Sequence, residues 1–321
     1  MKAPDHIDGR FRLEDILGSG SYAVVYRAQN FLNDDVVAIK LEPVTKNPSS
    51  VEHEHDILKQ LEGGVGIPRA IWFGRESTYY ALALDLLGPS LYDLFLACNR
   101  KFSLQTVVNL GDQLLSRLEY IHSHAFVHGD IKPHNVLVDN SMQTTYIIDF
   151  GIVKKYWNFA TESHIPFRRG RHLTGTPAFA SINNHLGLEP GRRDDLESLS
   201  YMLIYFLRGS LPWLNSDHER LSSSVILEHK VDTTIADLCD GIPAVFANIL
   251  VYSRSLSFSE DPDYDHLRSL LHDLRTAGPA PATHSLNFDC HITPSPQCPQ
   301  VTESVPLCLP KAMPLHRSTR V

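Results

Sequence analysis

The sequence has 321 residues and a mass of 36.1 kDa, enough for one large bilobal domain or two small ones. Its net charge of −8 argues against a dedicated nucleic-acid-binding protein, which is usually basic. The longest apolar run, residues 201–207, is too short to cross a bilayer, and the first ten residues lack the apolar core of a signal peptide. We therefore expect a cytoplasmic or nuclear protein without membrane or nucleic-acid partners, whose five scattered cysteines stay reduced.

The first predicted elements are three strands within residues 11–40, with a turn at 33–35. Gly18 and Gly20 lie between the first two strands, where glycines let backbone amides approach a phosphate closely. Most glycine-rich hairpins bind nothing, so this pair alone is a weak signal. Lys40 strengthens it, because a lysine ends the next strand at the spacing of a phosphate-binding lysine.

Helical periodicity follows in residues 51–61. Glu54 lies in this segment, from where it can reach Lys40 and aim the ammonium at nucleotide phosphates. Two alternatives stay open. Both charges could be solvated and contribute little, and Glu52 could be the partner instead of Glu54.

Two further strands are predicted at 71–73 and 79–86, and residues 85–89 then form a plausible hinge between two lobes. In that layout Leu84 lies at the back of an adenine pocket. The backbone of Asp85 to Leu87 meets the edge of the adenine.

Helical patterns over 91–97 and 104–122 lead to the stretch around which the chain is organised, HGDIKPHN at 128–135 and IIDFG at 147–151. Asp130 is placed to accept the proton of a hydroxyl, and Lys132 to neutralise charge on a transferring phosphate. Asn135 and Asp149 are placed to hold magnesium. This spacing of residue types predicts phosphoryl transfer from a metal nucleotide to a hydroxyl.

Beyond this stretch, a basic irregular segment at 154–176 is either a solvated face or an activation and substrate-docking segment. A buried helix is predicted after 192, and the last helix ends near residue 275. From 277 onward prolines crowd in without apolar periodicity, so we expect residues 277–321 to be disordered.

The chain resembles the casein kinase 1 family of serine/threonine protein kinases. The motifs that carry the resemblance are GGVGIP (63–68), LLGPSL (86–91), DIKPHN (130–135), IIDFG (147–151), LTGT (173–176), ASIN (180–183), RRDDLESL (192–199), GSLPW (209–213) and PDYDHLR (262–268). They cover nearly everything from about residue 10 to 275, and LLGPSL and RRDDLESL are specific to the family. ASIN replaces the Ala-Pro-Glu of most protein kinases.

The resemblance implies an α+β, bilobal protein-kinase fold with a small β-rich N-lobe (about 11–86) and a larger helical C-lobe (about 87–276), preceded by an N-terminal extension (1–10). It implies ATP and Mg²⁺ as cofactors, protein substrates with Ser or Thr, and a monomer. The implied catalytic residues are Asp130, Lys132, Lys40 and Glu54, and the implied metal ligands are Asn135 and Asp149. The implied nucleotide contacts are Leu17, Gly18, Ser19, Gly20, Ser21, Val25, Ala38, Lys40, Leu84, Asp85, Leu87, Leu137 and Ile148. It also implies that Lys132 and Thr176 select serine or threonine, and that Asp195 bonds the backbone of the catalytic loop.

The sequence departs from the family at four places. The third glycine of the loop is Ala23, and the arginine before the base is Gly129. Ala178 and the stretch 222–224 replace basic residues that let family members read a phosphate already on the substrate. We therefore expect a lost preference for phosphate-primed substrates.

Two other functions stay open. The departures at Ala23, Gly129 and Ala178 favour a kinase-shaped scaffold with weak or no transfer. The HGD…N pattern also resembles small-molecule kinases, although these lack the pairing of Lys132 with Thr176 and the RRDDLESL motif.

Overall fold

The computed structural model describes residues 4–20, 23–45, 48–76, 78–214, 221–276 and 285–288. Its strands are β1 (His6–Ile7), β2 (Phe11–Ser19), β3 (Val24–Asn30), β4 (Val36–Pro43), β5 (Ala70–Arg75), β6 (Tyr79–Asp85), β7 (Phe126–Val127), β8 (Val136–Val138), β9 (Thr145–Ile147), β10 (Lys154–Lys155), β11 (Trp157–Asn158) and β12 (Ser163–His164). Its helices are α1 (Ser50–Gln60), α2 (Leu91–Ala97), α3 (Leu104–Ser123), α4 (Ile182–His185), α5 (Arg192–Arg208), α6 (Ser223–Asp232), α7 (Ile235–Leu238), α8 (Ala244–Ser255) and α9 (Tyr264–Thr276). All of them belong to one compact unit, residues 1–291.

The first lobe is an antiparallel sheet of six strands in the order β1-β2-β3-β4-β6-β5, and the second lobe is mainly helical. This arrangement confirms the predicted α+β, bilobal fold. The sheet begins before residue 11, because His6 pairs with Arg12 and Ile7 pairs with Phe11. The prediction of a separate N-terminal extension is therefore wrong for His6 and Ile7, since Ile7 is fully buried in the core of the sheet.

Strand β4 positions Lys40. Val37, Ile39 and Leu41 pack in the small core on one face of the sheet. Because side chains of a strand alternate between its two faces, Ala38 and Lys40 point to the other face, towards α1 and the second lobe.

Helix α1 is fixed to β4 by a buried carboxylate. Glu42 of β4 accepts hydrogen bonds from the Ser49 hydroxyl at 2.6 Å and the Val51 amide at 2.9 Å. Ser49 in turn caps the helix by accepting from the Glu52 amide at 3.1 Å. These bonds satisfy amides that a helix start leaves unpaired, and they set the position of α1 over the sheet.

The second lobe is built on α3 and α5, which are buried along most of their length, with α9 packed on α3 and α8 packed on α5. The hairpin of β8 and β9 joins the connection between the lobes, because the Gly88 amide donates to the Val138 carbonyl at 2.8 Å and the Val138 amide donates to the Pro89 carbonyl at 3.1 Å. Among the described residues, no helix has the length and apolar character needed to span a membrane.

One piece of the predicted disordered tail is packed on this lobe. Leu286 is only 3% exposed, and the Phe288 ring meets the Phe102 ring with centroids 5.4 Å apart. The prediction of disorder is therefore wrong for residues 285–288, because two apolar side chains find a binding surface that the average composition of the tail conceals. The rest of the tail lies outside the described residues.

Two cysteines lie in the described residues, and one is free whereas the other is bonded. Cys239 is free and buried. Cys98 is disulfide-bonded. The expectation of reduced thiols is therefore wrong for Cys98.

Candidate active site

The cleft between the lobes contains a lysine held by two carboxylates. Lys40 Nζ lies 2.6 Å from Glu54 Oε2 and 2.8 Å from Asp149 Oδ1. Burial alone would lower the pKa of Lys40, but the two carboxylates outweigh burial and raise it above its ordinary value. Burial would likewise raise the pKa of Asp149, but Lys40 outweighs it and keeps the carboxyl ionised.

The structure decides between the two acidic candidates on α1. Glu54 is 1% exposed and faces Lys40, whereas Glu52 is exposed, and its backbone amide donates to Ser49, the residue that caps the helix. Glu54 also accepts the Phe150 amide at 3.1 Å, and the Phe150 side chain is fully buried. The Glu54 carboxylate thus connects β4, α1 and the segment that follows Asp149.

Asp149 and Asn135 fit a magnesium ion bound together with nucleotide phosphates. Asp149 has a φ of +70°, which turns its carboxylate away from the strand direction, and its side chain is 44% exposed. The Asn135 amide nitrogen donates to the Asp130 carbonyl and carboxylate, both at 3.0 Å, which leaves the amide oxygen as the group that can face a cation. Mg²⁺ commonly uses one or two protein oxygens plus phosphate oxygens. The described residues contain no cluster of three or more His, Cys, Asp or Glu that would hold a metal without a nucleotide.

The predicted base lies in a network that reaches the activation segment. Asp130 accepts from Lys132 Nζ at 2.7 Å and from the Thr176 amide at 2.8 Å. Lys132 Nζ also donates to the Thr176 hydroxyl at 2.8 Å. The bonds between Thr176 and both residues are those that the resemblance implies. The Asp130 carboxylate and the Lys132 ammonium therefore lie side by side. A hydroxyl bound there could lose its proton to Asp130 as it receives a phosphoryl group.

Asp195 of α5 binds the backbone just before Asp130. It accepts from the backbone amides of His128 at 2.7 Å and Gly129 at 2.8 Å, as the resemblance implies. It also accepts from His122 Nε2 at 2.8 Å, and His122 Nδ1 contacts the Tyr264 hydroxyl. Burial would raise the pKa of Asp195, but the hydrogen bond from His122 and nearby charges hold it below its ordinary value.

The predicted nucleotide contacts of the first lobe follow one another across the sheet. Gly18 pairs with Val25, and Val25 pairs with Lys40. Ala38, which lies two residues before Lys40 on β4, pairs with Leu84. The register therefore places these side chains in neighbouring positions on the sheet beside Lys40.

The remaining predicted contacts lie in the hinge and in the β8–β9 hairpin. Asp85 turns its carboxylate outward to Arg69, whose Nη2 and Nε donate to it at 2.7 and 3.0 Å, so only the Asp85 backbone is left for a nucleotide. Leu87 is half-buried in the hinge, and Leu137 is half-buried in β8. Ile148 directly precedes Asp149 and is also half-buried.

The glycine-rich turn is described only in part. Leu17 and Ser19 are exposed at the end of β2, and the Gly20 amide donates to the Ala23 carbonyl at 2.8 Å. Ser21 lies outside the described residues. Ala23 does not have a positive φ, so the missing third glycine brings no backbone strain at this position.

Sequence reasoning missed His122 and Tyr264. Both lie on helices with many polar residues, and nothing in their local pattern distinguishes them from surface positions. Only the fold brings the His122 ring into contact with Asp195 through one nitrogen and with the Tyr264 hydroxyl of α9 through the other.

The family comparison agrees with this geometry. A lobe of antiparallel strands, a helical lobe and a lysine–carboxylate centre between them define a phosphotransfer enzyme of the bilobal class. The sequence matches the protein kinase domain family over residues 11–257, and the chain therefore belongs to the protein kinases. Members of this family generally use ATP with Mg²⁺ and act on protein substrates.

Proposed function

We propose that this chain is a serine/threonine protein kinase of casein kinase 1 type. It transfers the γ-phosphoryl group of Mg-ATP to protein hydroxyls, and it works as a monomer in the cytoplasm or nucleus. The observation that carries the proposal is the Lys132 ammonium, which lies within 2.8 Å of both the Asp130 carboxylate and the Thr176 hydroxyl.

The roles of the remaining groups follow from their chemistry. Lys40, held by Glu54 and Asp149, would bind nucleotide phosphates, and Asn135 and Asp149 would share the metal. Asp130 would accept the proton of the substrate hydroxyl. Lys132 is bound to the base itself, so it would neutralise charge where the phosphoryl group is transferred.

The casein kinase 1 assignment is supported by the way the ASIN segment is held. The Ser181 hydroxyl donates to Asp194 Oδ1 at 2.6 Å, and Asp194 also accepts the Gly191 amide at 2.7 Å. Two of the family motifs, ASIN and RRDDLESL, are thus bound to each other in this chain.

A direct test measures transfer of labelled phosphate from ATP to casein. Asp130→Asn removes the base while keeping the side-chain shape, so we expect turnover to fall by about 10²–10⁴-fold. Thermal shift with Mg-ATP should be nearly the same for both proteins, because Asp130 is not placed to bind the nucleotide. Equal turnover in the two proteins would remove Asp130 from the mechanism.

A kinase-shaped scaffold is the second candidate, and Gly129 is the observation that favours it. Gly129 has a φ of +78° and open space around its α-carbon, so no side chain there tethers the activation segment. Stabilisation by Mg-ATP without any transfer to casein or to the chain itself would favour the scaffold over the kinase.

Substrate selection gives a further prediction. Ala178 is partly buried against the core, and Ser222 caps α6, so neither position offers a cation to a phosphate. We expect plain and phosphate-primed versions of one peptide to react with kcat/KM values within about threefold of each other, because a charge-assisted phosphate contact would give a larger difference. A strong preference for the primed peptide would contradict this.

A further inference from the structure

Lys230 is a fully buried lysine that lies outside the catalytic centre. It projects from α6, is 1% exposed, and forms no ion pair within the described part of the chain. Its Nζ donates to the carbonyls of Pro177 at 2.8 Å and Ala180 at 2.6 Å. The ammonium also lies 4.8 Å from the centre of the Tyr201 ring and 5.2 Å from that of Trp213. Burying an ammonium is costly. These acceptors and ring faces offset only part of that cost, because burial still lowers the pKa of Lys230 to about 7.

Two more side chains hold the same piece of backbone. Trp213 Nε1 donates to the Ala178 carbonyl at 2.8 Å, and His185 Nε2 lies 2.9 Å from the Pro177 carbonyl. Burial and the neighbouring Lys230 lower the pKa of His185, which favours the neutral ring that donates through Nε2. Three carbonyls in residues 177–180, which we call the clamped segment, therefore accept hydrogen bonds from side chains of the helical lobe.

The clamped segment is directly connected to the reaction centre. The Phe179 and Ala180 amides both donate to the Thr176 carbonyl at 3.0 Å, which closes a turn on Thr176. Thr176 in turn bonds Asp130 and Lys132. A shift of the clamped segment would therefore move Thr176 away from the predicted base.

We propose that Lys230 is a positioning residue for the protein substrate, and that it fixes the clamped segment as an uncharged docking surface beside the acceptor hydroxyl. The proposal rests on the proposed kinase function. The chain that carries the hydroxyl must reach Asp130, and the clamped segment begins one residue beyond the Thr176 that contacts it.

The test compares Lys230→Met with Lys230→Arg in the full chain. Methionine keeps the length of the side chain without its donors, and we expect kcat/KM for a casein-derived peptide to fall by about 10- to 100-fold, the scale of a misplaced reacting group. The KM for Mg-ATP and the slow hydrolysis of ATP without peptide should change by less than about twofold, since these depend on the first lobe and the metal. Arginine should restore part of the peptide activity.

A second variant and two controls separate positioning from loss of stability. Trp213→Phe keeps an aromatic side chain but removes the hydrogen bond to the Ala178 carbonyl, and it should also lower peptide activity more than ATP hydrolysis. Ile249→Val weakens the core of α8 away from the clamped segment, and Lys59→Met changes an exposed lysine on α1. Neither control should separate the peptide reaction from ATP hydrolysis.

Hydrogen exchange gives a readout that does not require phosphate transfer. Lys230→Met should speed amide exchange in residues 174–181 and leave residues 40–54 unchanged. Unchanged exchange in 174–181, or equal losses of peptide activity and ATP hydrolysis that Ile249→Val reproduces, would overturn the proposal. If the wild-type chain binds nucleotide but transfers nothing, the proposed kinase function fails. The exchange rate of amides 174–181 in Lys230→Met still tests the role of Lys230: faster exchange means that Lys230 holds the clamped segment, and unchanged exchange means that it does not.

Discussion

At the scale of single residues, Lys40 shows how three separated parts of the sequence combine into one charge centre. At an intermediate dielectric, a pair of opposite charges in contact attracts by up to about 4 kcal/mol, while a solvated pair contributes almost nothing. Because the Glu54 side chain is almost fully buried, its pair with Lys40 belongs to the stronger of these two cases. The position of Lys40 therefore depends on the charge of Glu54 as well as on its hydrogen bond.

This dependence predicts a difference between two neighbouring glutamates. Glu54→Gln keeps a hydrogen-bonding group but removes the charge, so Lys40 should be held less firmly and kcat/KM for ATP should fall by about 10- to 100-fold. Glu52→Gln is the matched control on the same helix, and it should stay within about twofold of the wild type because Glu52 is exposed. Steady-state kinetics at varied ATP measures both, and equal kinetics for the two variants would show that the buried charge is not needed.

At the scale of elements, residues 285–288 join two parts of the helical lobe. The Leu286 amide donates to Gln143 Oε1 at 3.0 Å, and Gln143 Nε2 donates to the Leu286 carbonyl at 3.1 Å. The Asn109 side chain donates to the Ser285 carbonyl at 2.8 Å. Gln143 lies in the turn of the β8–β9 hairpin, which leads to Asp149. This short segment therefore connects α3 to the hairpin that positions Asp149.

A pair of truncations tests this connection. A chain that ends after Thr276 lacks the buried Leu286, and we expect its free energy of unfolding to be about 2–3 kcal/mol lower than that of a chain that ends after Phe288. Both chains lack the three cysteines beyond residue 288, so the Cys98 disulfide does not contribute to this difference. Urea denaturation measures both.

Point variants locate the effect within the segment. Leu286→Ala should cost about 2 kcal/mol. Asn287→Ala should cost little, because the Asn287 side chain is exposed and its backbone carbonyl still accepts from Thr106. Equal stability of the two truncated chains, together with wild-type stability of Leu286→Ala, would mean that the segment contributes no free energy of folding.

This segment also shows where the sequence stops being informative. The candidate catalytic residues were predictable because they depend on local spacing, as in the run from Asp130 to Asn135. The fold class followed from the family resemblance that such motifs carry. Leu286 was not predictable, because one apolar residue in a proline-rich stretch has no periodicity, and its burial depends on a surface made by distant elements. Lys230 and His122 escaped for the same reason, since a polar residue on a helix is normally solvated and only the tertiary structure buries it.

At the scale of the whole molecule, two buried groups make stability depend on pH in opposite directions. Burial raises the pKa of Asp194 to about 6, so the folded state binds more protons than the unfolded state between pH 4 and 6, and stability from this group falls as pH rises through that window. Burial lowers the pKa of Lys230 to about 7. The unfolded state therefore binds more protons above pH 7, and stability from Lys230 rises with pH up to the ordinary lysine pKa.

Comparison with Lys230→Met isolates the second effect. Between pH 7 and 9 the difference in unfolding free energy, wild type minus variant, should rise by up to about 1.4 kcal/mol per pH unit, the limit for one proton. His185, Glu197 and Arg254 act on Lys230 and are present in both proteins, so their own titrations largely cancel. Lys59→Met, which changes an exposed lysine, should give a flat difference. A flat difference for Lys230→Met as well would mean that the Pro177 and Ala180 carbonyls hold Lys230 as a full ammonium across this range.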